Sequence, residues 1–391
     1  MTSPIIVSYS DNKGGASIAS YLIFESLKKI RRVEFYCIDK NKKKTVKINN
    51  NLYKSYLNFL RILEKILIYF FFKKKFHQSL NIFKTFNILC RLEKNFKLIN
   101  IHWVNRSMIS LGEIFNFKSK TIISLHDMWF FNPTEHYSIG RNKLTNFIDM
   151  YCWNLKKKIA NKKNTYFIAH NYWMRSKFLK KFPNLKDKIF LCKYYPVNLA
   201  LFKPRNKKKL REKYNLPINK KIVMFSAQDI HDERKGFNIF LKILNKCSVD
   251  SNIFFVTLGH LNQKKKFNNL KNYRHFDFLP NKKSADLYAL SDIYLCTSII
   301  DNLPLTIIEA LSSGNVVISL DNGGAKEILK KIGYIFKNSE HKKIINIIKN
   351  IKKSEIKRKS KLSRQFAISN FHSKKIAIQY NRIFNKVLKV N

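Results

Sequence analysis

Acidic side chains are scarce in this chain. Asp and Glu together number 25 against 76 Lys and Arg, leaving a formal net charge of +51 over 391 residues. Two readings compete for that excess: attraction to nucleic acid or an anionic membrane, or a coding bias. Glycine and proline are also few, at 10 and 8. Lys, Asn, Ile and Phe dominate throughout, which is the pattern of A/T-rich codons, so coding bias accounts for most of the magnitude. A nucleic-acid binder would focus its cations with aromatics on one surface. Here they are spread along the chain, and no RNA- or DNA-binding motif occurs. The six cysteines, at 37, 90, 152, 192, 247 and 296, form no Cys-x-x-Cys and no paired-His spacing, so neither a disulfide framework nor a zinc site is expected. They read as small buried apolar residues of a reducing compartment. Long apolar runs are missing too. The longest, 66–72, lies between Arg61, Glu64, Lys65 and Lys73-Lys74-Lys75, and is too short to span a bilayer. The N-terminus has no charged segment ahead of an apolar core, so no signal peptide is expected.

What is present is an α/β pattern. At this length two domains are a better expectation than one core, and a hydrophobic share of 45% supports a folded chain. Strand-like apolar runs recur at 5–10, 33–38, 98–104, from 121, and at 166–169, 221–226, 253–259, 273–280 and 316–320. The first feeds Gly14-Gly15 and a helix with apolar positions at Ile18, Tyr21, Leu22 and Leu27. Without Cβ atoms, those glycines let backbone approach a ligand closely, although many α/β proteins begin in this way. Leu60, Leu63, Ile66, Leu67 and Phe70 share one helical face. That face either packs on the sheet or lies, flanked by Lys, in the headgroup region of a membrane. His102-Trp103 and His126-Asp127-x-Trp129 fall at the carboxyl ends of two expected parallel strands, where open α/β sheets hold ligands. Pro196 and Pro204 stiffen a connection. This places domains at 1–197 and 198–372, with a closing helical segment at 373–391. No internal repeat is evident.

The richest chemistry lies between Asp301 and Glu327. Asp301-Asn302-Leu303-Pro304-Leu305-Thr306 leads to Glu309 in an expected helix, then Gly314, an apolar strand and a Gly323-Gly324 turn that opens another helix. Carboxylates accept hydrogen bonds from ribose or sugar hydroxyls, and helix N-termini suit phosphates. Upstream, the 221–226 strand leads to Arg234-Lys235-Gly236. These features resemble the nucleotide-binding segment of the group 1 glycosyltransferases. There, a Glu-x7-Glu element precedes a small-residue helix, a Gly, an apolar strand and a Gly-Gly turn; here the first acid is Asp301. His126-Asp127-x-Trp129 followed by His136-Tyr137 resembles the colanic-acid-type branch of that family.

The resemblance implies an α/β GT-B fold, two Rossmann-like domains facing each other across a cleft, with the 373–391 helix crossing back to the first domain. It implies retaining, metal-independent transfer of a sugar from a nucleotide-diphosphate sugar to a glycan or lipid-linked glycan acceptor, in surface polysaccharide or lipopolysaccharide synthesis. The donor-binding set is then Gly14, Gly15, Arg234, Lys235, Asp301, Asn302, Leu303, Pro304, Leu305, Thr306 and Glu309. His126, Lys235 and Glu309 take catalytic roles, and Asp127 and His136 lie on the acceptor side. His170 stands outside the catalytic set. No Asp-x-Asp occurs, so no metal is expected to hold the diphosphate, and no cofactor is implied. The expected partners are the nucleotide sugar, the acceptor and, peripherally, an anionic membrane, with no nucleic acid. The expected location is cytoplasmic, extending to the inner membrane face. The competing classes are a sugar-nucleotide epimerase or hydrolase on the same fold, and a basic nucleic-acid-binding protein.

Overall fold

A computed structural model describes residues 3–48, 51–72, 77–86, 89, 93–137, 146–261, 267, 270–277 and 281–390. The Lys73–Lys75 flank, Cys90 and the far end of the expected 273–280 strand lie outside them. The chain divides into two compact units, Met1–Tyr194 with Ser373–Asn391, and Tyr195–His372.

The first unit holds a seven-stranded parallel sheet of β1 (Ile5–Val7), β2 (Glu34–Cys37), β3 (Val46–Lys47), β4 (Leu98–Ile101), β5 (Lys120–Leu125), β6 (Thr165–Ala169) and β7 (Ile189–Leu191). Their order is β3-β2-β1-β4-β5-β6-β7. The inner strands β1, β4 and β6 are buried along their whole length. This is why they read as continuous apolar runs and not as alternating ones. The order reverses direction between β1 and β4, and the carboxyl ends there carry Ser8–Gly14 and His102-Trp103. The helix Ser373–Lys389 buries Ile376, Ala377, Tyr380, Ile383, Phe384 and Val387, a 3-4 spacing that makes one face. It packs on the helix Gly15–Leu27, and the Arg31 guanidinium donates to Asn381 Oδ1 at 2.9 Å.

The helix Asn51–Phe71 departs from the expected single apolar face. Leu57, Leu60 and Glu64 are buried, whereas Phe59, Ile62, Ile66, Tyr69 and Phe70 are exposed. The sequence holds two apolar stripes on opposite sides of one helix, and periodicity alone merges them. Glu64 is tolerated inside because its carboxylate accepts the Asn81 backbone N–H at 2.6 Å.

The second unit holds six parallel strands: β8 (Lys221–Asp229), β9 (Ile253–His260), β10 (Tyr273–Phe276), β11 (Ile293–Cys296), β12 (Val316–Leu320) and β13 (Tyr334–Phe336). Their order is β10-β9-β8-β11-β12-β13, so the switch point lies between β8 and β11. The helix Phe237–Cys247 buries Phe237, Phe240, Ile243, Leu244 and Cys247, and Phe240 stacks on Phe225 of β8 with ring centroids 4.3 Å apart.

Candidate functional site

In the second unit, the two segments leaving the switch point close on each other. β8 runs into the short turn Glu233–Lys235, and β11 into 297–301. Their backbones are tied: Ile299 N–H donates to the Arg234 carbonyl at 2.8 Å, and Thr297 Oγ1 to the Lys235 carbonyl at 3.0 Å. Gly236 makes this approach possible. Its φ is +73°, and a Cβ there would sit 1.8 Å from the Thr297 carbonyl oxygen, so only glycine fits. Gly323 does the same on the other side of the loop, where a Cβ would lie 1.8 Å from the Asp301 carbonyl oxygen.

These constraints bring two cations to one carboxylate. Lys235 Nζ lies 2.5 Å and an Arg234 guanidinium nitrogen 3.2 Å from the same Asp301 oxygen. Arg234 also reaches Asp232 at 3.3 Å. Burial alone would raise the Asp301 pKa; the Lys235 and Arg234 charges outweigh it and hold the carboxyl below its ordinary value. Glu309 lies on the helix Leu305–Ser312, whose N-cap Pro304 provides no side-chain cap. Asn302, Leu303 and Pro304 are buried behind it, while Leu305, Thr306 and Glu309 are half-buried. Burial pushes the Glu309 carboxyl up to about 7, opposed by a hydrogen bond from the Tyr288 hydroxyl. Tyr288 and Tyr294 share Ser226 Oγ at 2.9 and 3.1 Å.

In the first unit, three histidines gather at the strand ends. His126, after β5, lies 2.7 Å through Nε2 from Nδ1 of His102, after β4. Nε2 of His102 lies 2.9 Å from Asn100 Oδ1. His170, after β6, is fully buried, 3.2 Å from the Cys192 carbonyl and 3.3 Å from the Tyr380 hydroxyl. Burial lowers all three imidazole pKa values, that of His126 to about 4, so the cluster is uncharged at neutral pH. His102, His126, Asp127 and Trp129 line one cavity, together with Trp103 and Asn105.

Asp127 faces away from this chain of rings. Its Oδ1 accepts the Trp129 N–H at 2.9 Å, which aims Oδ2 at His136 Nδ1, 2.6 Å away. Ser79 Oγ lies 2.9 Å from His136 Nε2. Hydroxyl, imidazole and carboxylate stand in the order of a nucleophilic triad. Ser79 is buried, however, and its carbonyl is held by the Trp129 indole N–H at 2.7 Å, so the array acts as a brace for the loop. After β1, Gly14 has φ 85° and starts the helix Gly15–Leu27 with no side-chain cap.

Residues 206–367 match the family model described as glycosyl transferases group 1. This stretch is similar to that family, over less than half of the chain. Among curated proteins, a glycogen synthase of Clostridium novyi (strain NT) is 29% identical over 154 residues, 37% of this chain and 31% of that protein. The matches to such relatives span between 30% and 46% of their length. Among solved structures, Anabaena Alr3699/HepE in complex with UDP-glucose aligns with a TM-score of 0.71 at 17% identity, over 99% of this chain and 100% of that one. Sucrose-phosphate synthase from Thermosynechococcus elongatus aligns with a TM-score of 0.69 at 14% identity, over 98% and 99%. At such identities the likeness shows the fold, two Rossmann-like units of the GT-B class.

The second unit brings Arg234, Lys235 and Asp301 together, and places Glu309 on the helix that follows. In the first unit, His126 and Asp127 are neighbours in sequence with different partners: the His126 ring meets His102, and the Asp127 carboxylate meets His136. Sequence reasoning passed over Asn100, Ser79 and the Tyr288–Ser226–Tyr294 hydroxyls. Buried polar residues inside apolar runs, as Asn100 is in Leu98–Ile101, were the available signal.

Proposed function

We propose that this chain is a retaining glycosyltransferase that moves a sugar from a nucleotide-diphosphate sugar to a hydroxyl of a glycan or lipid-linked glycan. The observation that carries this is the convergence of Lys235 and Arg234 on one anionic point at the switch point of the second unit. As the bond from the sugar's C1 to phosphate breaks, the leaving diphosphate gains charge, and fixed cations stabilise that charge without reorganisation. Glu309 binds the ribose hydroxyls. His126 meets the sugar near C1. The departing phosphate oxygen takes the proton of the incoming hydroxyl as the new C1–O bond forms. Cleavage and formation then share one face, and configuration is retained. The two cations supply the positive charge that a metal would otherwise bring.

The lipid-linked form of the acceptor draws support from the helix Asn51–Phe71. Its outward stripe exposes Tyr69 at 68% and Phe70 at 74%, and Phe71 meets Phe147 edge-on at 5.2 Å. Exposed Lys54 and Lys65 lie on the same helix. An apolar, cationic helix face of this kind suits an anionic interface. Among the described residues, no helix is long and apolar enough to cross a membrane.

The test is a transfer assay with UDP-, GDP- and ADP-sugars against glycan and lipid-linked acceptors. Lys235→Ala and Glu309→Gln are expected to lower turnover by about two to three orders; near-normal turnover in both refutes the assignment. Donor incubated alone should remain intact on the assay timescale. Rapid appearance of an epimer or free sugar points to the epimerase or hydrolase class.

A further inference from the structure

The turn after β4 gathers two arginines on aromatic rings and pairs neither with an acid. Trp103, after β4, meets Tyr9, after β1, edge-on at 6.1 Å. Arg61, on the helix Asn51–Phe71, donates to the Arg106 carbonyl, Asn58 Oδ1 and the Tyr9 hydroxyl at 2.9, 2.9 and 2.7 Å. All three acceptors are uncharged. Its guanidinium carbon lies 5.0 Å from the Tyr9 ring centre, and that of Arg106 lies 5.6 Å from Tyr9 and 5.9 Å from Trp103. Among the described residues the Arg106 guanidinium has no hydrogen-bond partner. Glu64, the one acid of that helix, is buried and turned to the Asn81 N–H. Two like charges held together repel. The ring faces offset part of that, and a bound anion would offset more. Asn105, beside Arg106, is 1% exposed, and its Oδ1 has no hydrogen-bond partner among the described residues. It lines the cavity that Trp103, His102 and His126 also line, so cavity and cations share Trp103. A sugar hydroxyl both donates and accepts, and satisfies this amide whichever way round it lies.

We propose that Arg61 and Arg106 form a subsite for a phosphate group carried by the acceptor sugar, with Asn105 holding a neighbouring hydroxyl. The proposal rests on the transferase reading above, and narrows its acceptor to a phosphorylated one. Two guanidinium forks match the three terminal oxygens and double charge of a phosphate ester better than the single charge of a carboxylate. The pair stands at the carboxyl ends of β1 and β4, where the strand order reverses and open α/β sheets hold ligands. Transfer consumes two substrates. The donor's diphosphate has its cations in Lys235 and Arg234 of the second unit, which leaves the first unit's pair for the acceptor. A lipid headgroup is the weaker candidate. The outward stripe of the helix is Phe59, Ile62, Ile66, Tyr69 and Phe70, whereas Arg61 is tied to Tyr9 and to the turn after β4.

Calorimetric titration of the full chain with glucose 6-phosphate, glucose and inorganic phosphate tests this. Glucose 6-phosphate should bind more tightly than glucose. Arg106→Gln should weaken glucose 6-phosphate and inorganic phosphate about tenfold to a hundredfold, the effect of one charge-assisted hydrogen bond, and leave UDP affinity unchanged. Arg106→Lys keeps the charge without the fork and should fall between. Asn105→Ala should weaken glucose 6-phosphate and spare inorganic phosphate. Equal affinity for glucose 6-phosphate and glucose overturns the proposal, as does phosphate binding unchanged in Arg106→Gln. An equal loss of UDP affinity in Arg106→Gln assigns the pair to the donor, and loss of cosedimentation with anionic vesicles assigns it to lipid headgroups; either result overturns the proposal. Should Arg106→Gln fail to fold, phenylglyoxal modification of Arg106 in the unsubstituted chain decides. Protection by glucose 6-phosphate supports the subsite, and no protection overturns it. Arg106-dependent phosphate binding in a chain that transfers sugar from none of the three nucleotide sugars removes the transferase reading and leaves the phosphate subsite standing.

Discussion

Asp301 occupies the point that a diphosphate would seek, between Lys235 and Arg234. Replacing it with Asn removes the anion that two partly buried cations share, Arg234 keeping its contact with Asp232, which costs stability and opens the position to a ligand's charge. Asp301→Asn should therefore melt at a lower temperature alone and show a larger rise in Tm on adding pyrophosphate than the unsubstituted chain, as read by differential scanning fluorimetry. Glu309 makes a pH prediction. Its pKa is raised to about 7 by burial, so the carboxyl is largely protonated below that pH and a full acceptor above it. Nucleotide affinity should strengthen as pH rises from 6 to 8, and Glu309→Gln should flatten the profile in calorimetric titrations. Lys156 has a structural role of the same weight. Its buried ammonium donates to the carbonyls of Trp129, Asn132 and Pro133 at 2.6, 3.0 and 2.9 Å and thereby shapes the turn that leads to His136. Lys156→Met strands those carbonyls and should cost about 2–4 kcal/mol in urea unfolding.

At the scale of elements, the site depends on turns that approach closer than side chains allow. Gly236→Ala forces a Cβ against the Thr297 carbonyl at a left-handed backbone position. The loop must shift, at a cost of about 1–3 kcal/mol, and nucleotide affinity should fall with it, because Lys235 is the preceding residue. The strand ends of the first unit carry a different sensitivity. His102, His126 and His170 all have proton affinities lowered by burial, so the unfolded chain binds more protons than the folded one once pH drops below about 6.5. Their contribution to stability is present above that pH and is lost as pH falls toward 4. Circular dichroism melts between pH 7 and 4 should show Tm falling, with a shallower slope in His170→Phe.

For the whole molecule, the membrane contact proposed above would draw on the charge of +51 and on the exposed aromatic stripe of the helix Asn51–Phe71 in different ways. Attraction of charge to an anionic surface is screened by salt; apolar insertion is not. Cosedimentation with anionic vesicles should weaken as salt rises but retain a salt-resistant part. Phe59→Ser with Phe70→Ser should remove that part and leave transfer to a water-soluble acceptor unchanged. Equal binding to neutral vesicles, or no effect of the double substitution, argues against the interfacial reading.

Much of the architecture was legible because parallel strands buried on both faces are written as mostly apolar runs. Ile5–Val7, Leu98–Ile101 and Val316–Leu320 announced themselves in that way, and Gly236 and Gly323 marked where the chain had to turn tightly. The sequence by itself determined that two sheets would form and which loops would leave their carboxyl ends. Tertiary structure alone decided which side chains meet there. Asp301 lies 66 residues beyond Lys235 and 57 residues separate Ser79 from His136, and contacts so distant depend on the sheet register and on side-chain direction, which no local pattern carries. The two apolar faces of the helix Asn51–Phe71 were undecidable for the same reason: a 3.6-residue period says which residues share a side, and only packing says which side is covered.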